Sequence, residues 1–401
     1  KKKFFLREKN GTIYRSKTVP IHNLFTYINM QFSCNQDTFS KYINIVSRIV
    51  NNKPGLPILN NVAFETVKGK LLMKTTDLEL SVSTWIGSDV KSEGKITVPA
   101  KQLAEFVNSI SEEKIDFEVE KQSFNISTTN NSANFNTMPF DDFPSIPEIK
   151  DEKDYFVRIN KGDFANAVNR VAFAAATDDI KPVLTGIKME IEGDSVSFVA
   201  TDGLRLSRQI VKIEKSGKQK SLLIPVRAFE EISHIVSELD SEDEWVKVYV
   251  IEDRNQVLFK FSDVELSSRL IDGEFPEYKQ IIPTGFKTQC EINRMDFLNS
   301  LKVINIIARS VLGNKMILDI AKEGISLSAT QSDLGQNQSR FDCKVEGEEL
   351  KIAFSAKFLA DILNHIDSED IIFECSEPVR PGVFKIKGDE NFVHLVMPMM
   401  L

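Results

Sequence analysis

The apolar residues of this chain repeat one short amphipathic pattern six times, opening at Asp37, Pro99, Lys161, Pro225, Arg294 and Ser355. Neighbouring copies start roughly 60 to 70 residues apart. The first copy carries Phe39, Ile43, Val46 and Val50, the second Leu103, Phe106, Val107 and Ile110, and the third Phe164, Val168, Val171 and Ala172. The last three carry Phe229, Ile232, Ile235 and Val236, then Phe297, Leu301, Ile304 and Ile307, then Phe358, Leu359, Ile362 and Ile366. Steps of three and four residues put each set on one face, which predicts six helices of about three turns.

After each helix the period changes from helical to alternating, as at 70–75 and 78–85 or at 195–201 and 204–213, which predicts short strands. Lys68-Gly69, Glu192-Gly193-Asp194 and Lys322-Glu323-Gly324 are the turn residues between them. The half-unit therefore reads strand, helix, about three strands. A finer match pairs alternate copies: Ile-Thr-Val-Pro-Ala-Lys-Gln-Leu from Ile96 aligns with Leu-Ile-Pro-Val-Arg-Ala-Phe from Leu223 and Ile-Ala-Phe-Ser-Ala-Lys-Phe-Leu from Ile352. The true repeat is then three tandem α+β domains of two half-units each, with helices on one face of antiparallel sheets. Asp141-Asp142-Phe143-Pro144 and Gly273-Glu274-Phe275-Pro276 close the first two and Val396-Met397-Pro398-Met399-Met400-Leu401 the third, giving expected domains at 31–150, 151–283 and 284–401.

A chain of 401 residues, 42% hydrophobic and 27% charged, suffices for three such cores. No apolar run reaches the length of a membrane span. Cys34, Cys290, Cys343 and Cys375 stand apart in sequence, so buried thiols in a reducing cytoplasm are expected rather than a disulfide framework or a zinc site. The first thirty residues lie outside the repeat and hold seven Lys or Arg against one Glu. We read 1–30 as a basic extension, an extended start or mobile tail rather than a transit peptide, with Met30 as an alternative start.

Catalytic patterns are scarce. There is no Gly-rich phosphate loop, and His22, His234, His365 and His394 have neither metal nor nucleophile spacing. Thr76-Asp77 and Thr201-Asp202 fall between strands and read as turn caps. No enzyme and no cofactor are implied.

The three-domain plan, Leu-Pro-Ile-Leu at Leu56, Ala-Thr-Asp-Gly-Leu-Arg-Leu at Ala200, Phe-Pro-Glu-Tyr at Phe275 and the terminal Val-Met-Pro-Met-Met-Leu together resemble the bacterial replicative sliding clamps, the beta subunits of DNA polymerase III. The resemblance runs in order from Met30 to Leu401. It implies a head-to-tail homodimeric ring of the DNA-clamp fold. Such a ring encircles duplex DNA without sequence preference and tethers the DNA polymerase III alpha subunit, the clamp loader and other partners bearing clamp-binding peptides, in the cytoplasm and away from membranes. Ring closure also makes sense of the repeat, because it lets sheet edges pair instead of standing exposed.

A net charge of −8 looks wrong for a DNA-binding chain. Within the helical windows 37–50, 99–110, 161–175, 225–238, 294–309 and 355–366, however, ten Lys or Arg face eight Asp or Glu, a balance of +2 that leaves −10 elsewhere. A weakly positive lining inside an acidic shell would let DNA pass without holding one sequence. Lys41, Arg48, Arg170, Lys302 and Arg309 are the helical candidates, and the resemblance adds Lys53, Lys181 and Arg227 as DNA contacts. Pro182 and Val183 stand where relatives present aromatic rings.

The resemblance also implies a peptide groove between the second and third domains. Its walls would be Leu184, Thr201, Gly203, Leu204, Arg205, Leu206, Pro276, Ile281, Phe358, Val379, Val396, Met397, Pro398 and Met399. Aliphatic and thioether walls suit several partners. For Leu184 and Leu206 simple core packing is the preferred reading. Leu204 replaces a frequent histidine and Met400 a frequent arginine, which makes the groove more apolar. The dimer interface implied is Phe135 against Ile306 and Ile307. Two alternatives are kept: a hydrolase or transferase with a cleft between domains, which lacks clustered catalytic groups here, and a peptide-binding repeat scaffold that does not encircle DNA.

Overall fold

The computed structural model describes residues 30–50, 55–120, 123–214 and 219–401. Six α-helices lie among the described residues: α1 (Gln36–Ser47), α2 (Ala100–Asn108), α3 (Lys161–Ala172), α4 (Val226–Glu238), α5 (Arg294–Ala308) and α6 (Ala356–Asn364). Each begins within one residue of its predicted opening. Capping separates the copies into two kinds. The side chain of Asn35 accepts from the Thr38 N–H at 3.1 Å, Asn160 from Gly162 at 2.9 Å, and Asn293 from Met295 and Asp296 at 3.0 and 3.2 Å. These bonds satisfy N–H groups that a helix start leaves without intrahelical acceptors. Helices α2, α4 and α6 instead follow Pro99, Pro225 and Ser355 without a side-chain cap. Four residues after each leading residue stand Phe39, Leu103, Phe164, Phe229, Phe297 and Leu359, all completely buried.

Every helix has one strand before it and three after it, with short extra strands at Asp89–Ser92 and Lys344–Gly347. Helices pack in pairs, α1 with α2, α3 with α4 and α5 with α6. Phenylalanines fill the space between helices and sheets: Phe39 lies 4.7 Å from Phe117, Phe164 5.9 Å from Phe229 and Phe297 5.2 Å from Phe341. Such tilted pairs add to the burial of apolar area.

The strands form sheets of five, eight, nine and four strands, and two of the sheets cross domain boundaries. Leu80–Gly87 of the first domain pairs antiparallel with Val264–Arg269 of the second, Val82 opposite Leu266. Arg205–Lys212 of the second pairs with Asp389–Val396 of the third, Leu206 opposite Leu395. Both junctions thus join the last strands of two half-units.

Residues 1–29 of the basic extension and the DNA candidate Lys53 lie outside the described residues. Met30 is buried, and its carbonyl accepts from the Val119 N–H at 2.9 Å. Cys34, Cys290 and Cys375 are buried as expected, whereas Cys343 is only half-buried.

Candidate functional site

The two Thr-Asp pairs are turn caps with the same wiring. Thr76 Oγ1 donates to the Leu80 carbonyl at 3.0 Å, and Thr201 Oγ1 to the Arg205 carbonyl at 2.6 Å. Asp77 Oδ1 accepts from the N–H groups of Glu79 and Leu80, and Asp202 Oδ1 from those of Leu204 and Arg205. The turn needs a left-handed residue at its third position. Gly203 supplies it at φ +89°, but Leu78 adopts φ +78° in the first copy, where a side chain costs about 1 kcal/mol or more. The second carboxylate oxygens reach arginines: Asp77 accepts from Arg227 and Asp202 from Arg205. Burial pushes the Asp77 carboxyl up, yet the Leu80 N–H and the Arg227 guanidinium outweigh it and hold the group below the usual carboxylate range.

The eight cations named from sequence separate into three groups. Lys53 is not described. Arg48, Arg170 and Arg227 are occupied by carboxylates across domain boundaries: Arg48 by Glu231 and Glu238, both at 2.7 Å, Arg170 by Asp389 at 3.0 Å, and Arg227 by Asp77. Lys181, Lys302 and Arg309 are exposed and Lys41 is half-buried, and none of these four makes an ion pair among the described residues. Sequence charge counting missed the pairing because the acidic partners lie 150 to 219 residues away.

At the junction of the second and third domains, the turn 201–206 meets the chain end. The Met397 N–H donates to the Leu204 carbonyl and the Met399 N–H to the Ala353 carbonyl, both at 2.8 Å. Arg205 is 8% exposed, lies 4.5 Å from the ring of Phe358, and pairs with Asp202 at 3.0 Å and with Asp361. Leu206 packs with Val199, Phe275, Tyr278, Val383 and Leu395. Leu184, Thr201 and Val396 are buried too, Val396 within the third-domain core. Gly203, Leu204, Pro276, Ile281, Val379 and Met397 are exposed, and Phe358, Pro398 and Met399 half-buried. Ile281 lines a cleft of about 290 Å³ with Phe286, Cys375 and Val383, and Val379 lies outside that lining. Asp361 was missed in sequence, although its place three residues after Phe358 puts it on the same helical side.

Of the residues named for a dimer interface, Phe135 lies on the terminal strand of its sheet and Ile306 and Ile307 on α5. Phe135 is half-buried on Ser132–Asn136, edge-on to Phe106 at 6.0 Å. Ile306 is 62% exposed and Ile307 half-buried on α5. That helix lies along Gly335–Phe341, where Asn337 Nδ2 donates to the Val303 carbonyl at 2.7 Å. Among the described residues no cluster of three or more His, Cys, Asp or Glu is arranged to hold a metal, and no helix is long and apolar enough to cross a membrane.

Three consecutive stretches match family models: 30–147 the N-terminal domain, 158–277 the central domain and 279–400 the C-terminal domain of the DNA polymerase III beta subunit. The Beta sliding clamp of Synechocystis is 29% identical over 395 residues, covering 93% of this chain and 100% of the relative. Among solved structures, the DNA polymerase III beta subunit of Thermotoga maritima superposes with a TM-score of 0.86 at 26% identity, and the DNA polymerase sliding clamp of Bacillus subtilis with 0.87 at 25%. Each covers 93% of this chain and 100% of the solved one. With all three domains matched in order across the described fold, the chain belongs to the DNA polymerase III beta subunit family, the sliding clamps that act in DNA replication as non-catalytic processivity factors.

Proposed function

We propose that two copies of this chain close head to tail into a ring around duplex DNA and tether the DNA polymerase III alpha subunit, the clamp loader and other peptide-bearing partners in the cytoplasm. The observation that carries this reading is the strand pairing. The last strand of the first half-unit pairs with that of the fourth, and the last strand of the third with that of the sixth. Those of the second and fifth, Ser132–Asn136 and Gly335–Phe341, end their sheets unpaired on one side among the described residues. A third junction of the same kind, formed between copies, satisfies both and closes a two-fold ring.

On this reading 31–150, 151–283 and 284–401 are the three clamp domains and 1–30 a basic extension. Lys41, Lys53, Lys181, Lys302 and Arg309 meet phosphates directly. Arg48, Arg170 and Arg227 reach DNA by exchanging a carboxylate for a phosphate. Exposed Leu204, Ile281, Val379 and Met397 supply apolar contact for a linear peptide over the floor of Leu184, Leu206 and Val396.

The test is retention on DNA. Loaded on a nicked circle, the protein should remain through gel filtration and leave once the circle is cut. Equal retention on linear and circular DNA would favour a scaffold that does not encircle its target.

A further inference from the structure

The four cysteines are scattered in sequence, but strand register gathers three of them. Cys290 on Thr288–Asn293 stands opposite Val345 on one side and Phe373 on the other, and Thr288 stands opposite Cys375. Cys343 precedes Val345 by two residues. Side chains alternate faces along a strand, so this register puts Cys343, Cys290 and Cys375 in a diagonal row on one face of the sheet. Cys290 and Cys375 belong to the core formed with α5 and α6, and Cys343 packs at its margin. The row therefore runs from half-buried Cys343, one residue before the largely exposed edge strand Lys344–Gly347, into the interior. Its outer two members, Cys343 and Cys290, are diagonal neighbours across the pairing of the two segments. Interaction with Cys290 holds the Cys343 thiol below its usual range, while interaction with Cys343 and burial push Cys290 up. Cys375 is raised to about 12 by burial alone.

We propose that Cys343 and Cys290 are an oxidation site of this chain, converted by peroxide into a disulfide that ties the edge strand Lys344–Gly347 to Thr288–Asn293. The Cys343 thiolate attacks one oxygen of hydrogen peroxide. The O–O bond breaks, sulfur loses two electrons to become a sulfenic acid, and the departing hydroxide takes up a proton as water. The Cys290 sulfur then displaces the hydroxyl from Cys343. An S–S bond forms, the S–O bond breaks, and the hydroxyl leaves with the Cys290 proton as a second water. In sum two thiols and one peroxide give one disulfide and two waters. Cys343 is the attacking group because it is both the more acidic thiol and the one solvent reaches.

The whole chain is treated with hydrogen peroxide, quenched with catalase and digested with trypsin without reduction. Peptides 288–294 and 341–344 should appear linked, lighter by two hydrogens than their sum, and free thiols should fall from four to two. Dithiothreitol should restore all four. Cys343→Ser should keep its three thiols through the same treatment, Cys375→Ser should still form the link, and Cys290→Ser should leave a sulfenic acid that dimedone captures at Cys343. A link through Cys375, over-oxidation of Cys343 beside a free Cys290, or four surviving thiols would each overturn the proposal. Peroxide treatment in urea controls for folding, since a pairing that depends on register should lose its selectivity there.

Discussion

Glu265 and His394 hold the two interdomain junctions in opposite electrostatic senses. Glu265 is 6% exposed, stands opposite Ser83 across the first junction, and has Lys260 Nζ at 3.9 Å. Its Oε2 and the neighbouring Ser83 Oγ have no hydrogen-bond partner among the described residues. Burial raises its carboxyl from 4.5 to about 7, Lys260 opposing and Glu148 and Glu152 adding to the shift. A folded pKa above the unfolded one means that the folded state binds the proton more tightly. The stability it contributes is complete below pH 4.5 and lost as pH rises through about 7. Glu265→Gln should therefore match the parent at pH 5 and exceed it at pH 8 by about 1–3 kcal/mol in urea unfolding. Equal stability of the two proteins at pH 8 would show that Glu265 is ionised without cost. His394 has the reverse sign: completely buried beside Ser207 Oγ at 2.6 Å, its imidazole is pushed down to about 3 by burial and by Arg205. That contribution is present above the ordinary histidine range and lost as pH falls toward 3.

Among elements, the chain end carries the sharpest expectation. Met397 to Leu401 runs along the junction of the last two domains with two backbone bonds. Its fit is close, since a Cβ on Gly313 would stand 2.7 Å from Met399 Cε. The segment adds no strand to either core; Met399 bridges Ala353 on Leu350–Ser355, and the edge Gly335–Phe341 lies at the opposite side of that four-stranded sheet. Removing 397–401 should abolish binding of a Gln-x-x-Leu-x-Leu/Phe peptide, expected at about micromolar affinity near −8 kcal/mol, and leave the dimer intact. Calorimetry on the truncated protein reads the first outcome and light scattering the second. Unchanged peptide affinity would mean that the segment is packing only.

At the scale of the molecule, the same strand contact is used at both internal junctions, Val82 against Leu266 and Leu206 against Leu395. The apolar residues at the two free ends, Phe135 and the pair Ile306 and Ile307, are what a stable contact between copies needs at its centre. Phe135→Arg should bury a charge there and yield monomers by light scattering, with the far-ultraviolet dichroism of each chain unchanged. A mutant that stayed dimeric would remove Phe135 from the interface. Net charge acts at this scale too, through an acidic surface with a few unpaired cations on helices rather than through a basic face.

The sequence by itself determined the six helices and the strands between them, because each is coded by local period, and alternate copies by their leading residues. It made the Thr-Asp turns legible for the same reason, since their hydrogen bonds close within four residues. From sequence Arg48, Arg170 and Arg227 are candidate DNA contacts, and only the tertiary structure tied them to carboxylates on distant elements. The cysteines stand isolated in sequence, and only strand register brings Cys343 to the diagonal of Cys290. Ion pairs and thiol contacts are made between segments far apart in the chain, where spacing carries no information. Periodicity says which face of an element is buried, and packing alone decides what it meets.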